Sequence, residues 1–176
     1  MKHLPSLCIV TLVIIHSDCQ SVICQLQEND KKKAILEVID SCSIFQSLPD
    51  VERFKRGVLR RERIETTGIG HGVAIAHGKI LGLDSVKIAL GLSTKGIDFA
   101  SKDGLPVHLL FVIASSPSIQ IEYLRALSAI LQSVRTEQVR EHLLALKDLG
   151  HDERCERFFS MMSSQNFVWL CKTQKD

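Results

Sequence analysis

The sequence predicts an α/β domain built on one mixed β-sheet with helices on its faces. Three observations predict it. Residues 107–114, VHLLFVIA, are almost wholly apolar and rich in β-formers, the pattern of a central strand covered on both sides. Residues 73–76, Val-Ala-Ile-Ala, form a shorter apolar run bracketed by glycines, too short for a helix. Around these runs lie stretches with apolar residues at helical spacing, so strands and helices intersperse along the chain.

The elements follow in order from Val22. Val22 to Leu26 reads as a strand. Asn29 and Asp30 can cap the next helix, which carries Ile35, Leu36, Ile39, Cys42 and Phe45 near one face. Lys31, Lys32 and Lys33 oppose the dipole at its start and read as a solvated charge run. Pro49 falls where a first-turn proline belongs, and Val51, Phe54 and Val58 form the stripe of a helix ending near Arg61. Further on, Val86, Ile88, Leu90 and Leu92 alternate with Lys87, Ala89 and Gly91, which predicts a strand covered on one face. Thr94-Lys95-Gly96 and Lys102-Asp103-Gly104 are turn material around Ile97-Asp98-Phe99. After the central strand, Ser115 to Ser118 should end it and cap a helix whose stripe is Leu124, Leu127, Leu131 and Val134. Thr136, Val139, Leu143 and Leu146 mark another helix, stopped by Gly150, and His151 to Met162 a last one.

The ends divide the chain into a domain over 22–164, an N-terminal segment over 1–21 and a loose tail over 165–176. The first fifteen residues place one lysine ahead of an apolar run, like a signal peptide. Ser17-Asp18-Cys19-Gln20 is a poor cleavage site, however, and the run is too short to span a bilayer. A helix and strand packed on the domain is the expectation there.

Composition excludes several classes. The 176 residues suffice for one core, and 45% hydrophobic with 24% charged residues is ordinary for a soluble globular protein. A net charge of +2, with no basic stripe interleaved with aromatics, makes no case for nucleic acid. Six cysteines (Cys8, Cys19, Cys24, Cys42, Cys155, Cys171) show neither a C-x-x-C pair nor metal-ligand spacing; they read as reduced thiols of a cytoplasmic protein.

The chemistry concentrates in residues 60–80, RRERIETTGIGHGVAIAHGKI. Gly68, Gly70, Gly72 and Gly78 surround the apolar run, and His77 follows it directly. An imidazole where a strand leaves the core, beside open backbone N–H groups, suits an anion. Arg60, Arg61, Arg63 and Lys79 add cations, and Thr66 and Thr67 hydroxyl donors. Together they suit a phosphoryl group held beside a histidine nucleophile. The G-x-G-x-G run lacks the ending and context of a nucleotide loop, so no nucleotide site is expected. A metal site from His71, His77 and His108 would lack Cys or carboxylate partners at usual spacing. His108 instead reads as a hydrogen-bonded strand histidine, and His142 and His151 as solvated. Glu62 could accept from a backbone N–H or pair with Arg61 or Arg63.

This segment resembles the signature of the enzyme IIA domains of the bacterial phosphotransferase system, fructose/mannitol type, which include the nitrogen-regulatory IIA proteins. Arg61, Glu62, Thr66, Thr67, Gly68, Ile69, Gly70, Gly72, Val73, Ala74, Ile75, Gly78 and Lys79 match its pattern. His71 replaces the usual Asn, and Ala76 the usual Pro. The resemblance covers roughly Val22 to Leu149 and implies the same mixed-sheet fold. It implies that His77 carries the phosphoryl group, with Arg61, Thr66, Thr67 and backbone N–H groups near Gly78 as candidate contacts. Tyr123 stands where similar family members carry a second histidine that supports the phosphoryl group, and His71 could stand in for it. The implied donor is the carrier HPr, charged by enzyme I from phosphoenolpyruvate. The implied acceptor is a IIB cysteine or histidine, or the output is a regulated target protein. No metal, nucleotide or other cofactor is then required. With no IIB or IIC segment and no transmembrane helix in the sequence, a stand-alone regulatory IIA is the expectation. A binding-only regulator with slow or absent transfer is the alternative.

Overall fold

The computed structural model describes residues 22–164 together with two short strands, β1 (Thr11–Leu12) and β7 (Val168–Trp169), which pair in parallel. The helix expected in the N-terminal segment lies outside the described residues. Part of the expected loose tail is β7.

A five-stranded mixed sheet organises the rest. Its strands are β2 (Ile23–Leu26), β3 (Gly68–Gly70), β4 (Val73–Lys79), β5 (Lys87–Ile97) and β6 (Val107–Ser115), in the order β2-β5-β6-β4-β3. β2 runs parallel to β5 and β4 parallel to β6, whereas β5–β6 and β3–β4 are antiparallel. As the apolar run predicts, β6 is the middle strand, and all but His108 of its residues are buried.

Two helices precede the glycine segment. α1 (Lys31–Ser41) starts where Asp30 accepts from Lys33 N at 3.0 Å, and buries Ala34, Ile35, Val38 and Ile39. Cys42 and Phe45 are buried just past its end, in a short 3₁₀ turn rather than on the helix. α2 (Val51–Ile64) is capped by Asp50, whose carboxylate accepts from Arg53 N at 2.8 Å. Pro49 therefore stands ahead of the cap instead of in the first turn.

Small residues on the sheet mark where these helices come close. A Cβ at Gly78 would lie 2.7 Å from Val58 Cγ2 on α2, and one at Gly91 would lie 2.6 Å from Val38 Cγ2 on α1. This corrects the reading of β5. Ala89 and Gly91 are its inner face toward α1, so residues 88–93 are buried on both sides. The strand also runs through the expected turn at Thr94–Gly96, with a register shift between Leu92 and Ile97 and Gly96 at φ 81°.

Beyond β6 come α3 (Gln120–Ser133), α4 (Glu137–Ala145) and α5 (His151–Ser164). α3 carries no side-chain cap; Ser116 and Ser118 bond each other through their hydroxyls at 2.9 Å. Its buried stripe is Tyr123, Ala126, Ile130 and Ser133, while Leu124 and Leu131 are 53% and 40% exposed. The expected leucine stripe lies one residue, about 100°, around the helix. Small side chains let α3 approach the core, leaving Leu124 and Leu131 at the surface, while Leu127 packs partly against the core and Val134 is buried. A 3₁₀ turn over Leu146–Asp148 follows α4, and Gly150 leads into α5 instead of stopping its predecessor.

Candidate functional site

Strand alternation places the key imidazole. Gly78 faces α2, so His77, one residue earlier, points to the opposite side of the sheet, as Ile75 does. His77 lies within β4, in register with Ile113 of β6, and not beyond the strand end. Its ring Nδ1 is 3.1 Å from Ile75 O. A carbonyl can only accept, so Nδ1 carries the proton and Nε2 the free lone pair. Burial lowers the His77 pKa from the usual histidine value; the bond to Ile75 and the Glu62 carboxylate oppose this, and Arg61 and Lys79 reinforce it. The ring is therefore neutral at pH 7, with Nε2 available as a nucleophile.

A cavity of about 350 Å³ opens at this ring, its walls including Arg61, Thr66, Ile75, His77, Lys102 and Leu127. Arg61 reaches it from the last turn of α2, steadied by Nη1 donating to Glu65 O at 2.8 Å. The other guanidinium N–H groups remain to meet an anion. Tyr123 comes from α3, its ring centroid 5.7 Å from that of His77 and tilted by 44°. Burial raises the Tyr123 pKa, with Arg61 opposing, so its hydroxyl stays protonated.

The two threonines line the same cavity but use their hydroxyls elsewhere. Thr66 Oγ1 donates to Phe99 O at 2.5 Å, and Thr67 Oγ1 to Glu62 Oε2 at 2.5 Å. Buried Glu62 also accepts from Thr67 N at 3.1 Å and pairs with Lys31 Nζ at 3.1 Å. Neither Arg61 nor Arg63 is its partner. Lys31 is thus no solvated charge: it links α1 to α2, donates to Phe99 O at 3.4 Å and lies over the Phe99 ring. Gly78 is likewise closed off by Val58 and Phe54, so its missing side chain serves helix packing.

His71 is not brought to His77. It sits in the β3–β4 turn at φ 55°, its backbone N donating to Asp103 Oδ2 at 2.6 Å. The strand from Val73 to His77 alone spans about 13 Å, and His71 lies beyond its start. His71 and His108 instead line a second cavity of about 280 Å³ with Glu137 and Arg140. His108 Nδ1 bonds Ser93 O at 2.8 Å, so the three histidines do not converge on one point. The sequence reading missed Lys102, which it assigned to a turn, and Lys31. Neither has a local pattern that announces it, since both arrive from elements distant along the chain.

A five-stranded mixed sheet flanked by helices, here with a half-buried imidazole on its second strand from the edge, is a fold shared with solved IIA structures. The nitrogen-regulatory protein IIA-Ntr from Neisseria meningitidis superposes with a TM-score of 0.65 at 23% identity, over 86% of this chain and 96% of that one. Residues 16–150 match the family described as Phosphoenolpyruvate-dependent sugar phosphotransferase system, EIIA 2, and the chain belongs to it. It is 34% identical over 119 residues to the PTS system fructose-specific EIIABC component of Bacillus subtilis, 68% of this chain but 19% of that protein. It is 30% identical over 129 residues to a nitrogen regulatory protein of Bradyrhizobium diazoefficiens, 73% of this chain and 84% of that one. Among the described residues, no helix is long and apolar enough to cross a membrane.

Proposed function

We propose that the protein is a histidine phosphocarrier of the phosphotransferase system in which His77 Nε2 accepts a phosphoryl group from phospho-HPr. The observation that carries this is the Nδ1 bond to Ile75 O, which leaves a neutral nucleophile facing a cavity with Arg61. In the transfer, the Nε2 lone pair forms the new P–N bond as the donor's P–N bond breaks. The donor imidazole leaves with that electron pair. The His77 Nδ1 proton remains on its bond to Ile75 O, and Arg61 and the Tyr123 hydroxyl stabilise the equatorial oxygens. Thr67 and Glu62 position the loop without touching the phosphoryl group.

The surface around the cavity suits a protein partner. Ile64, Ile69, Leu124 and Leu131 are exposed, Ile69 and Leu131 in the cavity wall itself. Apolar surface around a charged centre fits a folded donor better than a small metabolite. The onward partner is a IIB domain or a regulated target, in the cytoplasm; one relative's name, EIIABC, joins an A component to B and C. A regulatory, nitrogen-type role is favoured by Tyr123, which cannot supply the positive charge of a second histidine.

Incubation with phosphoenolpyruvate, enzyme I and HPr, followed by intact-mass measurement, tests this. One acid-labile, alkali-stable phosphoryl group is expected on the wild type and none on His77→Ala. Label that persists in His77→Ala would remove the assignment, and an unlabelled wild type would leave the binding-only regulator.

A further inference from the structure

The segment from Asp98 to Leu105 is tied down at several points around one exposed lysine. Phe99 O accepts from both Thr66 Oγ1 and Lys31 Nζ. Ala100 holds a left-handed φ of 51°, with its N donating to Asp98 Oδ1 at 2.9 Å. Such a conformation in a residue with a Cβ costs about 1–3 kcal/mol and persists only where its surroundings enforce it. Ser101 is buried against Gly68, where any Cβ would collide with its Oγ. That Oγ is the buried side-chain oxygen without a hydrogen-bond partner among the described residues. Beyond the lysine, Gly104 N donates to Ser101 O at 2.9 Å, and Asp103 accepts from His71 N and Leu105 N at 2.6 and 3.1 Å.

Lys102 sits between these anchors and lines the His77 cavity. Among the described residues it has no carboxylate partner. A strained, doubly anchored turn presents a cation that no intramolecular contact uses, into a cavity whose nucleophile would acquire negative charge. We propose that Lys102 is a further phosphoryl-contacting residue, its ammonium meeting an oxygen of the group on His77 within the cavity that Arg61 also lines. This rests on the phosphocarrier reading. Its physical content is preorganisation: the turn fixes the lysine backbone before the anion arrives, so only the side chain has to order.

The test compares the full-length wild type with Lys102→Ala and Lys102→Arg. Two measurements are made: the quenched-flow rate of labelling by phospho-HPr, and a ³¹P NMR titration of the phosphorylated proteins. A nearby ammonium favours the phosphoryl dianion, so its removal should raise the pH of the ³¹P transition. Lys102→Ala is expected to slow labelling by about tenfold, as for loss of one charge-assisted contact, and to raise that midpoint. Lys102→Arg should restore most of both. An unchanged rate and midpoint in Lys102→Ala would overturn the proposal. A slower rate with an unchanged midpoint would also overturn it, placing the lysine on the partner surface. Failure of the reading beneath it looks different, because the wild type itself then takes no label on His77.

Discussion

At the scale of the residue, the site turns on which nitrogen of His77 is free and how readily the ring stays neutral. Burial, as the largest influence, holds its pKa below the ordinary value of about 6.5. Only the neutral ring attacks phosphorus, so the labelling rate should fall to half its plateau at a pH below the ordinary histidine value. An imidazole titration followed by NMR, beside the rate profile, checks this; a rate already halved at about pH 7 would contradict it. The same shift has a stability consequence. Below the unfolded-state value, the unfolded chain binds a proton that the folded one resists, so His77 erodes stability as pH falls through that window. Tyr123 gives a second prediction. Its hydroxyl donates one bond but carries no charge, whereas a histidine 5.7 Å away could become cationic beside the phosphoryl group. Tyr123→His should speed transfer by roughly ten- to hundredfold, read by quenched flow. An equal or slower rate would show that Arg61 and its neighbours already suffice.

At the scale of the element, α3 separates packing from recognition. Ile130 is fully buried, and Ile130→Ala should cost about 2–5 kcal/mol in chemical denaturation. Leu131 is 40% exposed on the cavity wall, so Leu131→Ser should change stability by less than about 1 kcal/mol while weakening labelling by phospho-HPr. Similar losses of stability in both variants would mean that the leucine, too, belongs to the core. β4 offers a complementary case. Gly78→Ala would bring a Cβ to 2.7 Å from Val58 Cγ2 and 3.2 Å from Val58 N, so α2 must move. A loss of about 1–3 kcal/mol is expected, together with slower labelling, because α2 also carries Arg61.

At the scale of the whole molecule, the order of strands and helices was legible because each announces itself locally. The apolar run of β6, the Asp30 cap and the glycines around β4 are short-range signals, and the 60–80 segment contains both His77 and Arg61, which line one cavity. What could not be read locally was which face met which neighbour. Ala89 and Gly91 look like an exposed face until α1 is laid on them, and a leucine stripe looks like a core until Ala126 and Ser133 are found beneath it. The site divides in the same way. By itself the sequence determined the candidate histidine and the arginine that shares its cavity, since both belong to one short segment of the chain. Only the tertiary structure decided that Thr66 and Thr67 spend their hydroxyls on Phe99 and Glu62, that Lys31 closes that network, and that His71 stays at the far end of β4. Only it brought Lys102 to the cavity of His77, because hydrogen-bond partners and strand register join residues that the chain holds far apart.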